Sequence, residues 1–204
     1  MKRSMDIFLS LLALIVLAIP LLLLAVVVRL ESPGAAIFRQ RRAGRWGKPF
    51  TMLKFRTMRS DVDPYGISPH SGADARLTRF GKKLRETSLD ELPQLLNVLA
   101  GDMSLVGPRP LYERQAAQWD ERQRHRLDVR PGITGYAQAY GRGSLTIEEK
   151  IDMDLYYVEH QGIWLDAKII VRTFLNVFGG RGDVYEQRYS RDRDRETDDP
   201  THQE

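Results

Sequence analysis

Residues 7–28 read IFLSLLALIVLAIPLLLLAVVV, an apolar run interrupted only by one serine and one proline. As an α-helix, these 22 residues would be about 33 Å long, which is enough to cross a bilayer once. The run is too long for a cleaved signal peptide, and no small-residue cleavage site precedes Arg29. It therefore predicts a membrane helix at the start of the chain.

Two features of this run argue against a simple crossing. Pro20 lies in mid-segment, where it removes a helical hydrogen bond and favours a kink. Basic residues flank both ends: Lys2, Arg3, Arg29, Arg39, Arg41 and Arg42. The positive-inside rule places both flanks in the cytoplasm, so a helix that enters, breaks at Pro20 and leaves on the same face satisfies both features. A single transmembrane helix with a tolerated proline is the alternative.

The charge is divided along the chain. Residues 181–204 carry five arginines and eight acidic residues with few apolar ones, which predicts a disordered tail. The preceding residues have a net charge of +7, within a total of +4. A basic body beside an apolar anchor suits an anionic membrane surface or phosphate-bearing substrates, although the charge also allows nucleic acid. The chain has no cysteine, which excludes disulfides and thiolate metal sites.

Between the anchor and the tail, the pattern predicts mainly helices. Residues 35–58 are typical of two short strands around a turn at residues 44–47, and residues 60–76 of a loop. Helices are predicted at residues 77–86, 110–129, 148–160 and 163–178. The last of these is amphipathic and contains Trp164, so it fits either the membrane interface or the domain core.

A further helix follows two adjacent carboxylates, Asp90 and Glu91, in the stretch SLDELPQLLN at residues 88–97. With Asp90 as its N-cap, Pro93 would lie in the first turn and the helix would end at Gly101. Arg109 follows in a stiff Gly-Pro-Arg-Pro loop. Carboxylates bind divalent cations or act as nucleophiles, and arginine binds phosphate bidentately. The pattern therefore predicts phosphoryl chemistry at a membrane.

The alternative is that the acidic pair is only a solvated helix cap, which is its commonest role. Ser88 and Glu91 could also form a capping box. The clustering of basic residues around the pair favours a site instead: Lys54, Arg56, Arg85 and Arg109.

Seven segments, in the order of a known family, cover most of residues 2–178: KRSMDI (2–7), FRQ (38–40), KFRTM (54–58), SLDELPQLLN (88–97), GDMSLVGPRP (101–110), RPGITG (130–135) and DLYY (154–157). On these segments the chain resembles the bacterial sugar transferase family, the small monotopic polyprenyl-phosphate phosphoglycosyl transferases. One departure is Ile19-Pro20, where family members carry Ser-Pro, so no hydroxyl is available there to satisfy a freed carbonyl.

The resemblance implies transfer of a sugar phosphate from a UDP-sugar to polyprenyl (undecaprenyl) phosphate, with release of UMP. This would be the first membrane step of bacterial glycoconjugate assembly: exopolysaccharide, O-antigen, capsule or glycoprotein. It implies that Asp90 is the nucleophile and forms a covalent aspartyl-phosphosugar intermediate. Glu91, together with Asp90, would hold Mg2+, and Asp154 would be a further acid of the site. The residues expected to bind phosphate are Lys54, Arg56, Arg85, Arg109 and Arg130.

The predicted fold is α+β and mainly helical. It comprises a re-entrant, kinked membrane helix (residues 1–30), a small catalytic domain on the cytoplasmic face of the inner membrane (31–180) and a charged tail (181–204). The domain would have amphipathic interfacial helices and a short β-hairpin. Expected partners are the UDP-sugar, polyprenyl phosphate and the phospholipid membrane, with no nucleic acid and with a homo-oligomer left open. The rival hypothesis is a non-enzymatic, membrane-anchored basic adaptor that binds anionic lipid or nucleic acid.

Overall fold

A computed structural model of the chain describes residues 1–63, 69, 71–179 and 185. The α-helices within these residues are α1 (Lys2–Glu31), α2 (Arg79–Glu86), α3 (Gln94–Ala100), α4 (Glu113–Ala116), α5 (Glu121–Arg124), α6 (Tyr136–Tyr140), α7 (Ile147–His160) and α8 (Ile163–Phe178). The strands are β1 (Ile37–Ala43), β2 (Pro49–Phe55), β3 (Ser104–Val106) and β4 (Gly132–Thr134). Nearly all of the predicted disordered tail and part of the 60–76 loop lie outside the described residues.

Helix α1 is long and apolar enough to cross a membrane. It runs through Pro20 without interruption, so the predicted break is not seen there. Proline removes one hydrogen bond and favours a bend, but the bonds on either side can maintain the helix. The middle of α1 is exposed: the exposed fractions of Ile15, Val16 and Ile19 are 67%, 67% and 73%. This exposed apolar length is suited to lipid rather than to water.

The N-terminal end of α1 is bound to the rest of the chain by polar contacts. The buried Asp6 carboxylate accepts hydrogen bonds from Ser104 Oγ (2.8 Å) and from the Leu105 amide (3.1 Å). Lys2 Nζ lies 2.5 Å from a carboxylate oxygen of Asp166, at the start of α8. These contacts fix the beginning of α1 against β3 and α8.

The C-terminal end of α1 contacts the same domain through a different region. Val28 is buried in an apolar cluster with Phe55 of β2 and Leu84 of α2. Glu31 accepts a hydrogen bond from the backbone amide of Phe80 (2.7 Å). Both ends of the helix are therefore held by one domain, while its middle stays exposed.

The predicted β-hairpin is confirmed. Strands β1 and β2 are antiparallel, with Lys54 opposite Phe38. Met52 of β2 packs with Val98 of α3 and with Met103 in a buried cluster. The hairpin therefore supports α3 from one side and carries Lys54 close to the turn that precedes α3.

A second sheet has two strands, and the sequence pattern predicted neither of them. Strand β4 pairs in parallel with β3, which follows α3 directly. Val106 of β3 belongs to a buried cluster with Ala139, Tyr157 and Ile169 from α6, α7 and α8. This cluster joins the three C-terminal helices to the loop that carries Arg109.

Of the four helices predicted at residues 77–86, 110–129, 148–160 and 163–178, three are confirmed and one is wrong. The helix predicted after the acidic pair is also present, as α3, and it ends at Gly101 as expected. Helices α2, α7 and α8 match the expected ranges closely; Thr78 caps α2, and a capping box of Thr146 with Glu149 begins α7. The predicted helix at residues 110–129 is instead α4, α5 and a 3-10 turn at His125–Leu127. Asp120 accepts a hydrogen bond from the Gln123 amide (2.7 Å), so a local cap starts a new helix where a continuous one was expected.

Candidate active site

The acidic pair lies on a short 3-10 turn, Leu89–Glu91, between α2 and α3. Ser88 opens this turn in the left-handed region, with φ of +57°. The prediction that Asp90 caps a helix is wrong, because α3 begins at Gln94 with Pro93 at its N-cap. The amides of Glu91 and Leu92 bond to carbonyls three residues back, which closes the 3-10 turn.

Glu91 is the centre of an ion-pair network. Its Oε1 atom lies 2.8 Å from Lys54 Nζ and 3.0 Å from Arg109 Nη1. The hairpin supplies the lysine, and the loop after β3 supplies the arginine. The structure therefore brings three predicted site residues into direct contact.

The charges around Glu91 determine its protonation. Burial alone would raise its pKa, but the positive charges of Arg109 and Lys54 and their hydrogen bonds lower the pKa of Glu91 to about 2. Burial also lowers the pKa of the Lys54 ammonium, an effect that Glu91 opposes. Glu91 is consequently ionised throughout the physiological range.

Asp90 has a different environment, although it is the next residue. It is only 5% exposed, and no hydrogen bond or ion pair to its carboxylate is found among the described residues. Burial raises the pKa of Asp90 to about 6, against the opposing positive charge of Lys54. Such a carboxylate is ionised at neutral pH, weakly hydrated and free to use its oxygen lone pairs, which are the properties of a nucleophile.

Three more arginines contribute positive charge to this site. The charge of Arg85 lowers the pKa of Asp90. The charges of Arg42 and Arg142 interact with those of Glu91 and Arg109. Burial lowers the pKa of the Arg42 guanidinium to about 10, and its guanidinium lies over the Tyr112 ring at 3.7 Å. The site is therefore an acidic pair surrounded by basic side chains.

Arg42 and Arg142 were missed as site residues by the sequence reasoning. Arg42 was noted only as a flanking charge of the membrane helix. Arg142 stands in the left-handed region, with φ of +49°, which is uncommon for a residue other than glycine. Its position between two glycines, Gly141 and Gly143, was the one local feature of the sequence that could have indicated an unusual backbone conformation there.

Two of the predicted phosphate-binding residues contact helix ends instead. Arg56 donates hydrogen bonds to the carbonyls of Ser32 and Pro33 (2.6 Å each), just after α1. Arg130 Nε donates to the carbonyl of Gly101 (2.9 Å), at the C-terminus of α3. Both side chains hold helices in this structure, and a phosphate-binding role for them stays a prediction.

Asp154, the further predicted acid, is buried in α7 and forms an ion pair with the buried Arg126. The same arginine donates a hydrogen bond to the backbone carbonyl of Arg109 (3.0 Å). Asp154 therefore contacts the site through Arg126 rather than directly.

The acidic pair can be tested for its fit to a metal ion. Within the described residues, no group of three or more His, Asp or Glu side chains could enclose a metal. Mg2+ does not need such a cage, because it is commonly held by one or two carboxylates together with water and substrate phosphates. Asp90 and Glu91 therefore fit an ion that is bound jointly with a phosphate substrate.

The chain thus combines an acidic pair among cations with a helix that is long and apolar enough to cross a membrane. The chain belongs to the bacterial sugar transferase family, whose sequence model matches residues 1–180. The enzyme class predicted from the sequence, a phosphoglycosyl transferase, is thereby confirmed.

Several curated relatives are similar over most of this chain. An uncharacterized sugar transferase, EpsL, from Bacillus subtilis is 42% identical over 89% of both chains. UDP-glucose:undecaprenyl-phosphate glucose-1-phosphate transferases from Caulobacter vibrioides and Escherichia coli are 44% and 43% identical, over 84% and 88% of this chain. The chain spans 67% and 40% of those two proteins.

Proposed function

We propose that this protein transfers a sugar phosphate from a UDP-sugar to polyprenyl phosphate, releasing UMP and forming a polyprenyl-diphosphate-linked sugar. The single observation that carries the proposal is the buried Asp90 carboxylate, surrounded by cations and without a hydrogen-bond partner among the described residues. Relatives named as undecaprenyl-phosphate transferases support the substrate class.

The proposed reaction has two steps with Asp90 in both. An Asp90 carboxylate oxygen attacks the sugar-bearing phosphorus of the UDP-sugar; the new O–P bond forms as the bond to the bridging oxygen breaks, and UMP leaves with that oxygen. A phosphate oxygen of the lipid then attacks the same phosphorus and releases the Asp90 carboxylate. Covalent catalysis of this kind divides one difficult transfer into two easier ones.

The basic residues stabilise the charge that moves during both steps. Lys54, Arg85 and Arg109 surround the pair, and phosphoryl transfer depends largely on positioning and electrostatic stabilisation. Glu91 orients Lys54 and Arg109 through a shared oxygen. Asp90 and Glu91 would hold Mg2+, which supplies neutralisation of the diphosphate and of the leaving UMP.

We further propose that α1 is re-entrant and that the domain lies on the cytoplasmic face. The start of α1 binds β3 and α8, and its end packs on β2 and α2, so one domain holds both ends. A straight helix of 30 residues would separate its ends by about 45 Å. A crossing would carry one end away from the domain, whereas entry and exit on one face keeps both contacts and requires the continuous helix to bend, which Pro20 favours.

Helix α8 supports placement of the domain at the membrane interface. One face packs on the core through Ile169, while Trp164, Phe174 and Phe178 are exposed at 84%, 59% and 82%. Lys168 and Arg172 lie on the same helix and suit anionic headgroups. The lipid phosphate acceptor would then approach Asp90 without leaving the membrane.

The adaptor hypothesis is not favoured. A binding surface for anionic lipid gains nothing from a buried carboxylate inside its basic patch, because burial of an uncompensated charge is costly. The experiment is incubation of the purified full chain with a panel of UDP-sugars, polyprenyl phosphate and Mg2+, with detection of UMP. We expect wild type and the exposed control Asp152→Asn to release UMP over many turnovers only when the lipid is present, and Asp90→Asn to release none. Absence of UMP with every donor would refute the proposed reaction.

A further inference from the structure

The buried ion pair of Arg126 and Asp154 lies beneath the loop that carries Arg109. Both side chains are nearly inaccessible, at 3% and 1% exposure for the whole residues. One nitrogen of Arg126, Nη2, donates to Asp154 Oδ2 and to the backbone carbonyl of Arg109, the latter at 3.0 Å. The pair thus connects α7 to the loop between β3 and α4.

The loop is held from its other side by backbone hydrogen bonds. The amide of Gly107 donates to the Thr134 carbonyl (2.9 Å), and the amide of Gly132 donates to the Pro108 carbonyl (2.9 Å). Beyond Pro108, the contact from Arg126 holds the carbonyl of Arg109 itself. Sheet bonds therefore fix the start of the loop, and Arg126 fixes the residue whose side chain reaches Glu91.

A purely structural role explains this pair poorly. A buried ion pair loses most of its attraction to desolvation, and well-packed apolar residues of similar size often stabilise as well or better. Arg126 also lies over the Trp119 ring, at 4.9 Å, so an apolar neighbour for a long aliphatic side chain is already present. An apolar residue in place of Arg126 could not donate a hydrogen bond to the backbone carbonyl of Arg109.

We propose that Arg126 and Asp154 are positioning residues that orient Arg109 for phosphate binding: Asp154 fixes the Arg126 guanidinium, and Arg126 fixes the backbone of Arg109. The inference rests on the proposed function, because it takes the diphosphate of the donor as the ligand of Arg109. Asp154 itself does not touch the substrate in this account.

The test is a double-mutant cycle in which the Arg126–Asp154 pair counts as one site and Arg109 as the other. Removing one partner of a buried pair can unfold a protein, so both are replaced together, as Arg126→Met with Asp154→Leu. Arg109→Ala is made alone and in combination with this double variant. The matched control is Arg122→Met with Asp152→Leu, since that exposed pair (2.9 Å) also joins the α5 region to α7 but makes no bond to Arg109.

Calorimetric binding of UDP gives a readout that does not require turnover. The folded double variant and Arg109→Ala should each weaken UDP binding by about tenfold, the loss expected for a charge-assisted contact. Combining them should add almost nothing, because both changes remove the same interaction. The control pair should bind UDP like wild type.

A folded double variant that binds UDP as tightly as wild type would overturn the inference. So would a further tenfold loss when Arg109→Ala is added to it, because additivity means that the pair acts independently of Arg109. Release of UMP by the wild-type protein reports separately on the proposed reaction, so the two failures are distinguishable.

Discussion

Asp90 and Glu91 are adjacent carboxylates whose surroundings move their pKa values in opposite directions. Burial raises the pKa of Asp90 to about 6, whereas Arg109 and Lys54 overcome the effect of burial at Glu91 and hold its pKa at about 2. Environments that separate two neighbouring acids in this way commonly give them different chemical roles. Here Asp90 has the properties of a nucleophile, and Glu91 organises the cations.

The first prediction is that Asp90→Asn stabilises the fold. A carboxyl group whose pKa rises from 3.8 to about 6 on folding costs almost nothing below about pH 3 and costs up to about 3 kcal/mol once it is ionised in both states. The amide has no charge to bury. Denaturant unfolding in a chelator should therefore show a higher free energy of unfolding for the variant than for wild type at pH 8, and this difference should disappear by about pH 3.

The matched control for that measurement is Asp152→Asn, whose carboxylate is exposed. It should change the free energy of unfolding little at either pH. A variant at position 90 that is less stable than wild type at pH 8 would contradict the conclusion that the neighbouring cations only partly offset the burial of Asp90.

The second prediction concerns the pH dependence of the donor step. Asp90 attacks only when ionised, so the rate of UMP release from the UDP-sugar alone should fall tenfold per pH unit below about pH 6. Rapid-quench measurement between pH 4.5 and 8 checks it. An acid limb near pH 4 would contradict this prediction, because Asp90 would then ionise in the working enzyme as readily as a carboxyl group in water.

The third prediction concerns Glu91 and the metal ion. Glu91→Gln removes the anion that Lys54 and Arg109 share, so we expect a loss of about 100-fold or more in turnover. A chelator should abolish turnover of wild type, and Mg2+ should restore it. The control Glu113→Gln, from an exposed pair with Arg41, should retain full activity. Undiminished turnover in excess chelator would refute a role for Mg2+.

The fourth prediction concerns topology. The chain has no cysteine, so single cysteines can be placed at Ser4, Ile19 and Ala35 without a background signal. In intact cells, a membrane-impermeant maleimide should label none of them from the periplasm. After permeabilisation, positions 4 and 35 should label and position 19 should stay protected by lipid. Labelling of position 4 from outside would establish a simple crossing instead.

Local patterns predicted much of the fold. The hairpin, α7 and α8 follow from turn residues and from apolar periodicity, and those signals need no long-range information. The prediction of one continuous helix at residues 110–129 was wrong because the local cap at Asp120 outweighed a weak apolar stripe. Strand β4 was missed because three residues beside a glycine-rich turn leave no periodic signal.

The candidate site was predictable only in part. The acids and Arg109 stand in recognisable motifs, and the structure brings them together with Lys54. The burial of Asp90 depends on tertiary packing, so its helix-cap interpretation could not be corrected from the sequence. For the same reason, Arg56 and Arg130 resemble phosphate ligands in the sequence but contact helix-terminal carbonyls in the fold.

The central claim is that Asp90 forms a covalent bond to the sugar-bearing phosphorus. Intact-protein mass spectrometry after mixing the enzyme with the UDP-sugar and Mg2+, without lipid, tests it most directly. We expect wild type to gain the mass of one sugar phosphate on the peptide containing Asp90, with about one UMP released per enzyme. We also expect Asp90→Asn to gain none. An unmodified wild-type protein that turns over fully once polyprenyl phosphate is added would contradict this claim.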